Sequence, residues 1–141
     1  MYFVESQGAD LLNEAIVLRV ISGAGIDSQC LGSLLEASKH RQIMMIKTQK
    51  DEPLASLAFA KISKYTLRLF AANPVHKLQA YEYNEGKILY ILDGFFRKGS
   101  FKNSLRLLLP QLKRYRLIAY VKNGKLKVFY NKGGCIFRVS I

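Results

Sequence analysis

Residues 87–109 read KILYILDGFFRKGSFKNSLRLLL, and this order of apolar run, single carboxylate, glycine turn and amphipathic run decides the fold. KILYILDGFF (87–96) is too apolar for a half-exposed strand, so it predicts a strand central in a sheet. Gly99-Ser100 then turns the chain into a helix, with Ser100 as its N-cap. Along that helix Phe101, Leu105, Leu108, Leu109 and Leu112 share one face, and Lys102, Arg106 and Lys113 another. Pro110 predicts a kink or an end late in the segment. A glycine loop from a strand into a helix N-terminus presents free backbone N–H groups and a positive dipole end. That suits a phosphate or a developing oxyanion, with Arg97 and Lys98 adding charge beside Gly99 and Ser100. The loop has no Walker lysine spacing and no GxGxxG, so a plain structural turn explains it equally well.

Downstream, RLIAYVK (116–122) and KLKVFYN (125–131) flank Asn123-Gly124, a type I′ hairpin signal. Gly133-Gly134 then leads into a last strand, CIFRVSI (135–141). Upstream, ADLLNEAIVLRVI (9–21) places Leu12, Ile16, Val20 and Leu11, Ala15, Leu18 at helical spacing until Gly23 and Gly25. Asp27 or Ser28 can cap a second helix over about 28–39, with Leu31, Leu34 and Leu35 facing inward. QIMMIKT (42–48) and LASLAFAKIS (54–63) read as a hairpin about the Asp51-Glu52-Pro53 turn, and TLRLFAA (66–72) as a further short strand. The expectation is one domain over 1–141, of class α/β (α+β), with a mixed, mostly antiparallel sheet flanked by helices. A chain of 141 residues can bury about two thirds of its unfolded surface in one core.

Charge is distributed unevenly. Residues 1–85 carry nine basic and nine acidic side chains, whereas residues 86–141 carry thirteen basic ones against Asp93 alone. The whole net charge of +12 therefore lies in the C-terminal part. Such polarity points to an acidic partner: nucleic acid, an anionic membrane surface, a phosphorylated cofactor or an acidic protein. A solvated basic surface that keeps the protein soluble is the bland alternative. The longest apolar runs are far too short to span a membrane, and MYFVESQGAD lacks the pattern of a signal peptide. Cys30 and Cys135 lie far apart with no histidine at ligand spacing, which argues against a zinc site or a disulfide framework. A reducing, cytoplasmic setting is the expectation.

Few residues offer chemistry. A carboxylate such as Asp93, at the end of an apolar strand, is costly unless a cation or hydrogen-bond donors satisfy it. It can orient a histidine acting as general base, or it can simply pair with a nearby arginine or with backbone amides. His40, just before the first strand, and His76, in the loop after Pro74, are the histidines available for such a role, and each also reads as a surface residue. Cys30 and Cys135 read as packing. In the basic region Tyr115, Tyr120, Phe129 and Tyr130 interleave with Lys113, Arg114, Arg116, Lys122, Lys125, Lys127 and Lys132, a composition suited to phosphate contacts and base stacking. The same tyrosines also fit ordinary strand faces. SGAGIDSQCLGSLLEA (22–37) loosely matches helix-turn-helix spacing, which leaves a winged-helix DNA binder as a third reading.

Three stretches together resemble the toxin-activating lysine acyltransferases that accompany RTX cytolysins. QIMMIKTQKDEPLASLAFAKIS (42–63) looks like that family's hairpin, and EGKILYILDGFFRKGSFKNSLRLLLPQL (85–112) like its strand, aspartate, glycine and helix. KNGKLKVFYNKGG (122–134) looks like its closing hairpin. The resemblance implies a GNAT-like fold and transfer of a fatty acyl group from acyl carrier protein to protein lysines. It implies no tightly bound cofactor, and acyl-[acyl carrier protein] as co-substrate. Asp93 matches the family's catalytic aspartate. The family's catalytic histidine has no counterpart around VISGAGIDS (20–28), which leaves His40 as the upstream histidine. The family's tryptophans are absent, and Phe96-Arg97-Lys98 replaces its Ala-Pro-Phe. An acidic carrier protein would meet a basic docking face. A non-catalytic basic module that binds nucleic acid or an acidic protein, such as a phage or plasmid regulator or inhibitor, accounts for the same charge. A homodimer is compatible with either reading.

Overall fold

Seven strands form one sheet in the order β1 to β7 in this computed structural model, which describes residues 1–5 and 11–139. The strands are β1 (Tyr2–Glu5), β2 (Ile43–Lys47), β3 (Pro53–Ile62), β4 (Ile88–Phe96), β5 (Leu117–Lys122), β6 (Lys125–Lys132) and β7 (Cys135–Val139). The helices are α1 (Leu12–Ile21), α2 (Ser28–Lys39), α3 (Lys64–Ala72) and α4 (Phe101–Leu112). The β1–β2, β2–β3, β5–β6 and β6–β7 ladders are antiparallel. β4 and β5 pair in parallel, with Leu89 opposite Ile118 and Tyr90 opposite Ala119. Parallel neighbours need a crossover, and α4 supplies it. The mixed α/β class and the central place of residues 87–96 are as the sequence predicts, since β4 is fourth of seven.

Cα packing divides the described chain into two compact units, residues 1–59 with 92–110 and residues 60–91 with 111–141. In the first, Leu11, Ala15, Leu34, Ala37, Ile43, Met45 and Ala58 are buried together, with Leu12, Ile16 and Cys30 packed against them. Gly23, at φ +73°, ends α1 in the left-handed conformation, where a residue without Cβ costs nothing. Asp27 caps α2 by accepting a hydrogen bond from the Cys30 N–H at 2.7 Å. In the second unit Phe70 stacks on Tyr90 with ring centroids 4.3 Å apart, and burial pushes the Tyr90 hydroxyl up to about 12. Asn123 and Gly124, at φ 53° and 72°, make the β5–β6 turn that their identities predict.

Several expectations are corrected. TLRLFAA is helical, not a strand: the Ser63 hydroxyl accepts from the Thr66 N–H at 3.2 Å, and Thr66, Leu67 and Phe70 then bury one helical stripe. Leu34 faces inward on α2, but Leu31 and Leu35 are 37% and 41% exposed. On α4 the buried stripe is Ser104, Leu108 and Leu112, while Phe101 is exposed and meets Phe96 edge-on. α4 runs two residues past Pro110. β1 and the short 3-10 turn Ala80–Tyr83 are too short to carry a hydrophobic periodicity. Residues 9–10 of the first predicted helix and 140–141 of the last predicted strand lie outside the described residues. Among the described residues no helix is long and apolar enough to cross a membrane.

Candidate functional site

β4 alternates its side chains, so Asp93 and Phe95, two residues apart, point to the same face. Arg19, in the last turn of α1, reaches both. Its Nη2 lies 2.5 Å from each oxygen of Asp93, and its guanidinium carbon sits 4.8 Å from the centroid of the Phe95 ring. The helix C-terminus favours a cation there, and the ring face adds a further attraction. Both side chains are withdrawn from water, at 11% and 17% exposure. The Arg19 Nε is buried and has no hydrogen-bond partner among the described residues. Cys30, in the first turn of α2, brings its thiol within 3.7 Å of Asp93. Burial first, and the Asp93 charge second, push the Cys30 thiol up to about 11, so it stays protonated at neutral pH.

Asp93 therefore does hold a partner from upstream of the hairpin, and that partner is an arginine. A guanidinium keeps its protons in proteins and cannot act as a base. His40 is the C-cap of α2, ten residues beyond Cys30, which at 1.5 Å per residue puts it about 15 Å along the axis. The structure does not bring His40 to the carboxylate of Asp93. Arg19 is the residue that sequence reasoning missed. Its signal is visible in hindsight as the lone charge within AIVLRVI.

The β4–α4 loop is a tight turn. The Ser100 N–H donates to the Arg97 carbonyl at 3.0 Å, the Ser100 hydroxyl donates to the same oxygen at 2.7 Å, and Gly99 adopts φ +83°. The Arg97 N–H is spent on the Leu54 carbonyl at 2.8 Å. Two of the amides expected to meet an anion are thus already engaged. The Arg97 side chain lies 3.9 Å from Glu52, and both are well exposed.

Register places Lys122, Lys125 and Lys127 on one face of β5–β6, with Tyr120 opposite Lys127 and Lys122 opposite Lys125. On the same face Tyr120 and Phe129 stack, their centroids 5.8 Å apart. Lys132 lies on the other face by the same alternation. The four lysines named from sequence do not form one surface.

A second polar cluster escaped the sequence reading although its capping-box spacing, Gln79 to Glu82, is visible. Glu82 is 2% exposed and accepts from the Gln79 N–H at 2.8 Å and from the Thr66 hydroxyl at 3.1 Å, with His76 Nε2 at 3.3 Å. Burial opposes its ionisation. The Gln79 N–H, His76 and Thr66 outweigh that and hold the carboxyl below its ordinary 4.5. A depressed folded pKa gives stability that is present above the unfolded value and lost as pH falls through the folded one. Glu82→Gln should therefore flatten the acid limb of a stability-versus-pH curve below about pH 4.5. An acid limb identical to that of the parent protein would refute it. Among the described residues no three His, Cys, Asp or Glu side chains are placed to hold a metal ion, and both cysteines are free thiols.

No family model matches the chain, and no curated protein does. Among solved structures it is similar to the GphF GNAT-like decarboxylase in complex with isobutyryl-CoA, at 13% identity and a TM-score of 0.56. The match covers 86% of this chain and 65% of that one. At that identity the likeness carries architecture and not chemistry. With a helix-flanked mixed sheet whose fourth and fifth strands are parallel across a helical crossover, the chain has a GNAT-like fold.

Proposed function

We propose that this chain uses an acyl thioester, transferring a fatty acyl group from acyl carrier protein to lysines of a protein substrate. The observation that supports this reading most is the run of β4, Asp93, glycine turn and α4 within a GNAT-like fold. In the reaction the lysine amine attacks the thioester carbonyl, an amide bond forms, the carbon–sulfur bond breaks, and the carrier thiol takes the proton. Asp93 is the carboxylate that would hold the incoming amine, and Arg19 fixes its orientation. The amides of Lys98, Gly99 and Phe101 are the candidates for the oxyanion. The basic C-terminal part supplies a docking face for an acidic carrier.

The test is incubation with acyl-[acyl carrier protein] and candidate protein substrates, followed by peptide mass spectrometry. Acylated lysines are expected, with Asp93→Asn lowering their yield by about a hundredfold or more. Complete absence of acylated lysine would sink the enzyme reading.

A second reading has its own observation. Arg19 occupies the Asp93 carboxylate and the neighbouring thiol is protonated, so among the described residues this cluster offers no free base. That arrangement supports a non-catalytic GNAT-like protein that binds an acidic protein or nucleic acid. Retention of the chain on immobilised carrier protein or nucleic acid, without any acyl product, would favour it.

A further inference from the structure

A cavity of about 660 Å³ lies in the unit formed by residues 60–91 and 111–141. Ile88, Leu117 and Tyr130 supply its apolar and aromatic wall, and Lys64, Lys87, Arg114 and Arg116 supply four positive charges. No carboxylate among the described residues lines it. Among the described residues none of these four cations has a carboxylate within 4.0 Å. Glu85, the acid nearest in sequence, directs its carboxylate to the hydroxyls of Ser63 and Thr66, at 3.2 and 2.7 Å. Four cations crowded about one concavity without counter-charge repel one another, which is an arrangement a bound polyanion relieves.

The cations stand on a fixed frame. Lys64 opens α3 directly after its Ser63 cap, and Lys87 immediately precedes β4. Arg114 and Arg116 sit in the short link between α4 and β5. That link is pinned by the Asn131 side chain, which donates to the Lys113 carbonyl at 2.6 Å, and by the Asn131 N–H, which donates to the Arg116 carbonyl at 2.9 Å. Leu117 and Tyr130 are register partners across β5 and β6, so the wall is sheet rather than loop. The volume falls in the range of small-molecule sites, and the concavity opens to solvent on its cationic side. Arginine forks match phosphate oxygens, and a tyrosine ring suits a planar group attached to them.

We propose that this cavity binds a nucleotide-sized organic polyphosphate, its phosphates on Lys64, Lys87, Arg114 and Arg116 and its ring against Tyr130. The site shares no residue with the Arg19–Asp93 cluster, and its test needs neither acyl carrier protein nor acyl transfer, although Lys87, Arg114 and Arg116 belong to the basic C-terminal part. The experiment is calorimetric titration of the whole chain at about 150 mM salt, with ATP, inorganic pyrophosphate and adenosine as probes. ATP is expected to bind, more tightly than pyrophosphate, and adenosine only weakly. Arg114→Gln/Arg116→Gln and, separately, Lys64→Gln/Lys87→Gln should each weaken ATP by about tenfold or more. Lys122→Gln/Lys125→Gln, which removes the same charge from the β5–β6 hairpin end, should change it less than about twofold. All six positions are exposed, and unchanged thermal melts will show that the variants fold. Absence of ATP heat, equal losses in all three double variants, or pyrophosphate binding as tightly as ATP would each overturn the proposal.

Discussion

Arg19→Ala is expected to destabilise the protein by about 3–5 kcal/mol, the cost of leaving one member of a buried pair unpartnered. Asp93 is 17% exposed, and with Arg19 gone its remaining described polar neighbour is the weak thiol donor of Cys30. The loss is larger than for an ordinary ion pair because little water reaches the carboxylate left behind. It should appear in urea unfolding followed by circular dichroism, since the chain has no tryptophan to report fluorescence. The double variant Arg19→Met/Asp93→Leu decides the cause. Replacing both charges with apolar groups of similar volume removes the desolvation cost together with the attraction, so most of the lost stability should return. If Arg19→Ala costs less than about 1 kcal/mol, the pair behaves as an exposed one and contributes little. The result bears on function as well: a double variant that is stable yet inactive in acyl transfer would separate the pair's chemistry from its part in folding.

Gly86→Ala is the second change with a large expected effect, about 3 kcal/mol, at the upper end of what overpacking costs. The reason is contact rather than backbone dihedral. A Cβ on Gly86 would fall on the Ile62 carbonyl and the Ser63 amide nitrogen, which are main-chain atoms and cannot swing aside. The Glu85 and Gly86 N–H groups both donate to the Lys61 carbonyl at 3.1 Å, so moving the chain to make room breaks these bonds too. For a chain of this length the loss corresponds to roughly 10 °C in Tm. Gly32→Ala serves as the control. Gly32 lies inside α2 with open space around its α-carbon, so alanine should raise stability by about 0.5–1 kcal/mol. If both glycines tolerate alanine equally, the close approach at Gly86 does not exist in solution.

What could be read from sequence followed the periodicity of burial. IMMI is apolar at every position because β2 is buried on both faces, LYIL is buried on both faces at Leu89 and Tyr90, and Asn123-Gly124 announced its turn through positive φ. TLRLFAA was misread because seven residues hold too few periods to separate alternation from a helical stripe. The Ser63 cap one residue before α3 settled it locally. Leu31 and Leu35 were assigned inward because helical spacing gives a face and not the neighbour that covers it. Together with Val20 at 64% exposure, they show that an apolar stripe can exceed what its own unit covers.

The candidate site divides in the same way. By itself the sequence determined that Asp93 is the lone acid of a basic region, placed in a central strand before a glycine turn and a helix, within a mixed α/β fold. It could not say what the carboxylate touches. Asp93 and Arg19 are seventy-four residues apart, and no local rule links the last turn of α1 to the middle of β4. The basic cavity is likewise assembled from four separate segments. Strand and helix periodicities are short-range properties of the backbone and are written in neighbouring residues. Charge pairing and concavity arise only when distant elements pack, so the tertiary structure alone decided that Asp93 holds an arginine.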